Sequence, residues 1–184
     1  MTAPMTYDQP AGSLESIVRD ERAFRAWYDE VLPRVYRYLA ARTGGDVTLA
    51  EELTQQTFVE AIRHRGSFDG RSDVVTWLCA IGRHRLVDHY RRHDREARRQ
   101  DRLIEAHRLG KQPAWDGPAT RDAVERALAV LPADQRLALI LRYLDDLPVR
   151  DVAHAIGRTE KATESLLVRA RENFRRAHGG QTDA

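Results

Sequence analysis

Two histidines four residues apart, His89 and His93, have the spacing that could hold a metal ion in this sequence. On a helix both imidazoles would project from one face, and Asp88 and Asp94 beside them would offer carboxylates. A metal-dependent phosphohydrolase could use such a set. The sequence offers no second cluster of acids and histidines to complete a coordination shell. The alternative is that these imidazoles belong to a basic surface that faces nucleic acid.

The surrounding segment favours that alternative. Between Arg83 and Arg102 eight arginines stand against four acidic residues, a local net charge of +4, whereas the whole chain carries +2. Imidazoles and Tyr90 are interleaved with these arginines. Cations that neutralise phosphates and rings that stack on bases are what a nucleic-acid contact requires. Because Trp77 and Ile81 precede this segment, we expect one helix that is apolar at its start and basic at its end.

No other pattern suggests catalysis or a cofactor. The sequence contains no Gly-rich phosphate loop, nucleophile elbow or paired-cysteine zinc spacing, so we expect a protein that is not an enzyme and has no catalytic residue, metal or cofactor. The single cysteine, Cys79, excludes an internal disulfide and is expected to be a plain buried thiol. Without a signal-peptide pattern, and with 137–141 as its longest apolar run, we expect a cytoplasmic protein without membrane insertion.

Apolar periodicity predicts an all-α protein of two small helical domains joined by a flexible linker. Apolar residues three and four apart mark a helix over 24–39, which Pro33 should kink or divide into two abutting helices. A turn over 43–46 should precede a second helix over 48–65. A loop over 65–72 then leads to the helix that contains Trp77. Ser72 with Asp73 should cap that helix, and Gly82, which costs about 1 kcal/mol relative to Ala, indicates a close helix crossing.

The C-terminal part reads as a helix-turn-helix domain. We expect helices over 120–131, 132–144, 148–156 and 160–177, with Pro132 at a first helical position, Gly157 in a tight turn and Thr159 as an N-cap. The expected boundaries are a flexible leader (1–14), a first domain (15–95), the linker (96–119), a second domain (120–177) and a flexible tail (178–184).

Taken together, the order of elements resembles the extracytoplasmic-function (ECF) group of bacterial RNA polymerase sigma factors. The resemblance covers about 24–92 and 119–176, and it is carried by the motifs at 50–58, 76–92, 131–136, 152–157 and 169–171. It implies a sigma region 2-like bundle followed by a sigma region 4-like helix-turn-helix domain. The implied function is that of an alternative sigma factor, which binds core polymerase, recognises minus-35 and minus-10 promoter elements and helps melt DNA.

The resemblance also implies site residues. The polymerase-docking set, expected to face the clamp helices of the largest subunits, is Glu51, Glu52, Leu53, Gln55, Gln56, Phe58 and Glu60. The set expected at the minus-10 element is Arg65, Phe68, Arg71, Arg83, His84, Arg91 and Arg92. Phe68 could stack on a flipped base or plug the core beneath its loop. The set expected at the minus-35 element is Arg158, Thr159, Glu160, Lys161, Glu164, Ser165 and Arg169.

Two departures from the family pattern affect these expectations. The family often has Ala-Arg-Asn where this chain has Gly82-Arg83-His84, and often has basic residues at the positions of Glu164 and Leu166. We therefore expect the C-terminal domain alone to bind DNA weakly, because acids repel phosphates. The expected partners are core RNA polymerase, promoter DNA and an inhibitory anti-sigma factor, for a chain that is monomeric when free. The alternative function is a helix-turn-helix regulator that does not dock on core polymerase.

Overall fold

The computed structural model describes residues 14–101 and 119–179, and within them every regular element is helical. The N-terminal module consists of α1 (Leu14–Arg19), α2 (Glu21–Ala40), α3 (Val47–Arg63) and α4 (Val74–Asp101). The C-terminal module consists of α5 (Ala119–Ala129), α6 (Ala133–Leu139), α7 (Val149–Ile156) and α8 (Glu160–Gly179). The prediction of an all-α chain with two small helical domains is confirmed. None of the helices in these two ranges is long and apolar enough to cross a bilayer.

Helix α2 passes through Pro33 without ending, so the prediction of two abutting helices is wrong. Proline removes one backbone donor, but the apolar face on both sides of it is buried, and Val31, Val35 and Leu39 are each at most 3% exposed. The packing of this face against α3 and α4 outweighs the local cost of the proline. Asp20 caps the start of the helix, and its carboxylate accepts a hydrogen bond of 2.8 Å from the Ala23 amide.

The predicted turn between α2 and α3 has a left-handed backbone conformation at its two glycines. Gly44 and Gly45 have φ values of +64° and +83°, a region that residues with a Cβ rarely adopt. Asp46 then caps α3 by accepting a hydrogen bond of 2.9 Å from the Leu49 amide. The turn was predicted from the sequence, whereas the cap by Asp46 is a finding of the structure.

Helix α4 is the central element of the N-terminal module, and it contacts α2, α3, α6 and α7. Asp73 caps it by accepting hydrogen bonds from the Val75 and Thr76 amides, so the cap is Asp73 and not Ser72. Gly82 lies where α4 crosses its neighbours: a Cβ there would meet Thr57 Oγ1 at 3.1 Å and Leu39 Cδ2 at 3.2 Å. The close crossing predicted from this glycine is confirmed.

Two details of the C-terminal module differ from prediction. Pro132 occupies the N-cap of α6 instead of its first helical position, and α6 proper ends at Leu139. A π-helical turn, Ile140–Leu144, follows it and is closed by the Asp145 amide, which donates 3.1 Å to the Ile140 carbonyl. Between α7 and α8 the predictions hold. Gly157 has φ +69°, and the Thr159 hydroxyl accepts a bond of 3.2 Å from the Ala162 amide.

The predicted boundaries fall partly inside helices. Helix α1 begins at Leu14, which is buried with Ile17, although this position was assigned to the leader. The boundary at 95 lies within α4, and α8 continues through His178 to Gly179, residues that were assigned to the tail. The rest of the predicted leader and tail and most of the predicted linker lie outside the described residues.

Candidate nucleic-acid interface

Helix α3 has one face in the core and one in solvent. Four residues of the predicted docking set are exposed on the outer face, namely Glu51, Glu52, Gln55 and Gln56. The Gln56 amide donates a hydrogen bond of 2.9 Å to the Glu52 carboxylate, which orders the middle of this face. The result is a rigid acid- and amide-rich helix surface, suited to a partner surface that is basic and helical.

The other three members of that set lie elsewhere. Leu53 and Phe58 are 2% and 4% exposed, and both belong to the core, so they hold α3 in place and offer no surface to a partner. Glu60 is half-buried and forms an ion pair of 2.8 Å with Arg85 of α4. It therefore ties the end of α3 to α4, a contact that the sequence reading did not anticipate.

The loop after α3 packs against the start of α4. Phe68 is half-buried, and its ring centroid lies 5.2 Å from that of Trp77, so of the two predicted alternatives it occupies the core-plug position. The Arg65 guanidinium is used locally and donates 3.0 Å to the Ile62 carbonyl. Arg71 is exposed and pairs only loosely with Asp69, at 3.4 Å. Of the loop residues in the minus-10 set, Arg71 is thus the one that faces outward.

The basic part of α4 presents the remaining predicted residues. His84, Arg91 and Arg92 are exposed, and Arg83 is half-exposed. An open cleft of about 270 Å³ lies between this helix and the end of α3, and both Trp77 and His84 line it. The structure therefore places an aromatic ring and an imidazole in one cleft, whose lining also includes the paired Glu60 and Arg85, on a helix that carries exposed arginines. Such a surface can hold a single strand through stacking and phosphate contacts.

The two histidines considered as metal ligands lie on this helix. Burial lowers the pKa of His89, and the neighbouring His93 lowers it further, so the neutral imidazole is favoured. Among the described residues no group of three or more His, Cys, Asp or Glu is arranged to hold a metal ion. Cys79 is half-buried, and burial raises the pKa of its thiol, which keeps it protonated and weakly nucleophilic.

Helix α8 carries the predicted minus-35 residues, and most of them are exposed. Glu160, Lys161, Glu164, Ser165 and Arg169 line its solvent side. Thr159 is used as the N-cap, and Arg158 forms an ion pair of 2.8 Å with Asp134 at the start of α6. Leu166, one of the positions that depart from the family pattern, is 1% exposed and packs in the core. One of the two departures on this helix therefore concerns packing and not the DNA-facing surface.

A polar cluster that the sequence reading missed joins the two modules. Arg42, at the end of α2, donates to the Asp145 carboxylate from Nε at 3.0 Å and from Nη2 at 2.8 Å. The Tyr38 hydroxyl donates to the same oxygen at 2.9 Å. Burial raises the pKa of Tyr38 and outweighs the lowering by Arg42, so its hydroxyl keeps the proton that it donates. Arg42 and Asp145 are 103 positions apart, and no local pattern could have paired them.

Comparison with known proteins matches both modules. A Sigma-70 region 2 model matches residues 20–96, and a Sigma-70 region 4 model matches residues 121–174. ECF RNA polymerase sigma factor SigM of Bacillus subtilis is 34% identical over 154 residues, covering 80% of this chain and 90% of that protein. SigC of Mycobacterium tuberculosis, also an ECF sigma factor, is 33% identical over 181 residues, covering 94% of this chain and 93% of that protein.

A solved structure is also similar. The sigma factor RpoE of Bartonella quintana, in a complex with the anti-sigma factor NepR, matches with a TM-score of 0.51 and 26% identity, over 89% of this chain and 99% of RpoE. The two sigma domains occur here in the same order as the two modules of the structure, and the sequence relatives align along most of their length. The chain therefore belongs to the ECF family of RNA polymerase sigma factors and is an alternative sigma factor that directs transcription initiation.

Proposed function

We propose that this chain docks on core RNA polymerase through the outer face of α3 and grips the minus-10 element with the basic part of α4. In this proposal the outer face of α8 reads the minus-35 element. The observation that supports it most is that two neighbouring helices of the N-terminal module have surfaces of different chemistry. One helix offers an ordered acid- and amide-rich surface, and the next offers exposed cations beside a cleft lined by rings. The first suits a protein surface and the second suits nucleic acid.

The remaining parts of the proposal concern partners and location. The chain supplies no chemistry of its own, since transcription is catalysed by the polymerase to which it binds. RpoE of Bartonella quintana was solved with an anti-sigma factor, and we extend that class of inhibitory partner to this chain. Since core polymerase and promoter DNA are its partners, the chain acts in the cytoplasm, and it is a monomer before it binds polymerase.

The docking surface is tested by charge reversal. Glu52→Lys combined with Gln56→Lys should lower affinity for core polymerase by at least about tenfold, because two like charges would then face a basic partner. Affinity is measured by pull-down with purified core polymerase and by titration. Glu30→Lys, a single charge reversal at an exposed position of α2, is the control and should leave affinity unchanged. Stoichiometric binding of the double variant to core polymerase would contradict the assignment of α3 as the docking helix.

The DNA-facing surface is tested on the same holoenzyme. Arg91→Ala combined with Arg92→Ala should impair promoter opening, read by permanganate footprinting and run-off transcription, more than it impairs polymerase binding. Arg22→Ala with Arg25→Ala, two exposed arginines of α2, is the matched control. Equal loss of opening and of polymerase binding would contradict the assignment of α4. No complex with core polymerase for the wild-type chain would instead favour a regulator that does not dock.

A further inference from the structure

The outer face of α3 is polar except at one position. Exposed residues recur along this helix every three to four positions, and among them Val59 is 43% exposed. Val59 lies one turn after Gln55 and Gln56 and one turn before Arg63, so all four share one face. A single exposed valine is ordinary on a protein surface. The surroundings of Val59 are what set it apart.

An open cleft of about 220 Å³ surrounds Val59 where α3 meets α4. The Glu60 carboxylate and the Arg85 guanidinium form an ion pair of 2.8 Å that fixes the wall between the two helices. The 2.9 Å hydrogen bond from Gln56 to Glu52 orders the preceding turn of α3. The cleft therefore has ordered polar walls around one apolar side chain. Its lining consists of Gln55, Gln56, Val59, Glu60, Arg63 and Arg85.

The charges on this face change sign along α3. Glu51 and Glu52 lie in the first half of the helix, whereas Arg63 is its exposed last residue. At a rise of 1.5 Å per residue, Val59 lies about 10 Å from Glu52 and about 6 Å from Arg63 along the axis. A partner that is basic throughout would attract the two glutamates and repel Arg63. The complementary surface is therefore basic, then apolar, then acidic.

We propose that core RNA polymerase places an apolar side chain in the cleft beside Val59. Its surface then carries basic groups opposite Glu51 and Glu52 and an acidic group opposite Arg63. This inference rests on the proposed docking through α3, and it names the chemistry of the polymerase surface that meets this helix. Apolar side chains that are buried on binding, within a ring of polar contacts, contribute most of the affinity of an interface. Nucleic acid does not fit this face, because the two carboxylates would repel phosphates.

Two valines of α3 offer a matched pair of variants. Val47 is 41% exposed, nearly the same as Val59, but it is the first residue of the helix and lies outside the cleft. Val59→Gln should lower affinity for core polymerase at least about fivefold, because the apolar contact is lost. Val47→Gln should stay within about twofold of the wild type. Val59→Ile, which keeps an apolar side chain, should retain the affinity. Titration of the full-length chain with core polymerase measures these affinities, and circular dichroism checks folding.

The order of charges has a test that depends on the sign of the effect. Arg63→Glu should lower affinity at least about fivefold, because an acid would then face an acidic group. On a polymerase surface that is basic throughout, the same change would raise affinity. Arg22→Glu, the same charge reversal at an exposed position of α2, is the matched control and should have little effect. A cation at the end of a helix also stabilises it, so urea unfolding is measured for each variant. If Arg63→Glu does not fold, Arg63→Gln takes its place and should cause a smaller loss.

The outcomes separate this inference from the docking proposal. Unchanged affinity of folded Val59→Gln, or tighter binding of Arg63→Glu, would overturn the inference. Failure of docking through α3 would appear instead as wild-type affinity of the Glu52→Lys and Gln56→Lys double variant.

The face is also complementary to itself when two copies run antiparallel, so sedimentation of the free chain is measured as well. A dimer that Val59→Gln dissociates, with polymerase affinity unchanged, would assign the cleft to a second copy and overturn the polymerase contact. A monomeric free chain together with weaker polymerase binding by Val59→Gln would support it.

Discussion

Gly82 shows at the residue scale how one missing side chain sets the packing of the N-terminal module. A methyl group there would approach Thr57 Oγ1 to 3.1 Å and Leu39 Cδ2 to 3.2 Å, and both neighbours are fully buried. Gly82→Ala gains about 1 kcal/mol of helix propensity, but overpacking costs about 1–3 kcal/mol. We expect a net loss of about 1 kcal/mol in the free energy of unfolding, measured by urea denaturation.

A second glycine of the same module provides the control for that experiment. A Cβ on Gly66 would have no neighbour within 4 Å, and Gly66 has no positive φ. Gly66→Ala should therefore change the free energy of unfolding by no more than about 0.5 kcal/mol. A Gly82→Ala variant more stable than the wild type would mean that α4 can move away from α2 and α3 without cost.

Single residues were predictable where the physical reason is local. The Thr159 cap could be predicted because a cap depends on its own turn, and the close crossing at Gly82 because a helix rarely tolerates glycine without a packing reason. The docking set was less accurate, since Leu53 and Phe58 are neighbours in sequence of the exposed residues but lie in the core. Their apolar character was the available signal, and it indicated the packing face.

At the scale of elements, α8 has an outer face of mixed charge, which makes a sharp prediction. In the holoenzyme, Lys161→Ala and Arg169→Ala should each weaken binding to promoter DNA and lower the slope of log affinity against log salt by about one. Glu164→Gln should strengthen binding about two- to fivefold, because a carboxylate near phosphates repels them. Fluorescence anisotropy at several salt concentrations measures all three variants.

Removing a cation from α8 should weaken DNA binding and removing an acid should strengthen it, so each kind of variant is a control for the other. Arg150→Ala on α7, where Arg150 pairs with Asp151 at 3.2 Å, removes a cation outside α8 and should leave the salt dependence almost unchanged. If Glu164→Gln weakens binding, the carboxylate accepts a hydrogen bond from a base amino group and reads sequence. If none of the α8 variants changes affinity, a different surface of the C-terminal module contacts the DNA.

Helix existence was predictable from apolar spacing, whereas helix boundaries were not. Pro33 was expected to disturb α2, but its helix continues because the apolar face on both sides of the proline packs in the core. Helix α6 was expected to run to Leu144, yet it ends at Leu139 and a π-helical turn, Ile140–Leu144, follows with Asp145 as its C-cap. After this turn Asp145 lies against Arg42 of the other module, a contact that local sequence patterns do not report.

At the scale of the whole molecule, the sequence predicted two modules but not their contact. The cluster of Tyr38, Arg42 and Asp145 joins residues more than 100 positions apart, and each member reads as an ordinary surface residue of its own helix or turn. Periodicity and capping report only on neighbours within a few turns. The arrangement of the modules therefore emerged only from the structure.

The buried ion pair between the modules predicts how the whole molecule responds to salt. Screening is strong between exposed charges and weak for a pair withdrawn from solvent, and Arg42 and Asp145 are 10% and 3% exposed. The radius of gyration of the free wild-type chain should therefore change by less than about 2 Å between 0.05 M and 0.5 M salt. DNA affinity of the holoenzyme should fall by orders of magnitude over the same range, because phosphate contacts are exposed. Expansion of the free chain with salt, in parallel with the loss of DNA affinity, would mean that surface charges close the chain.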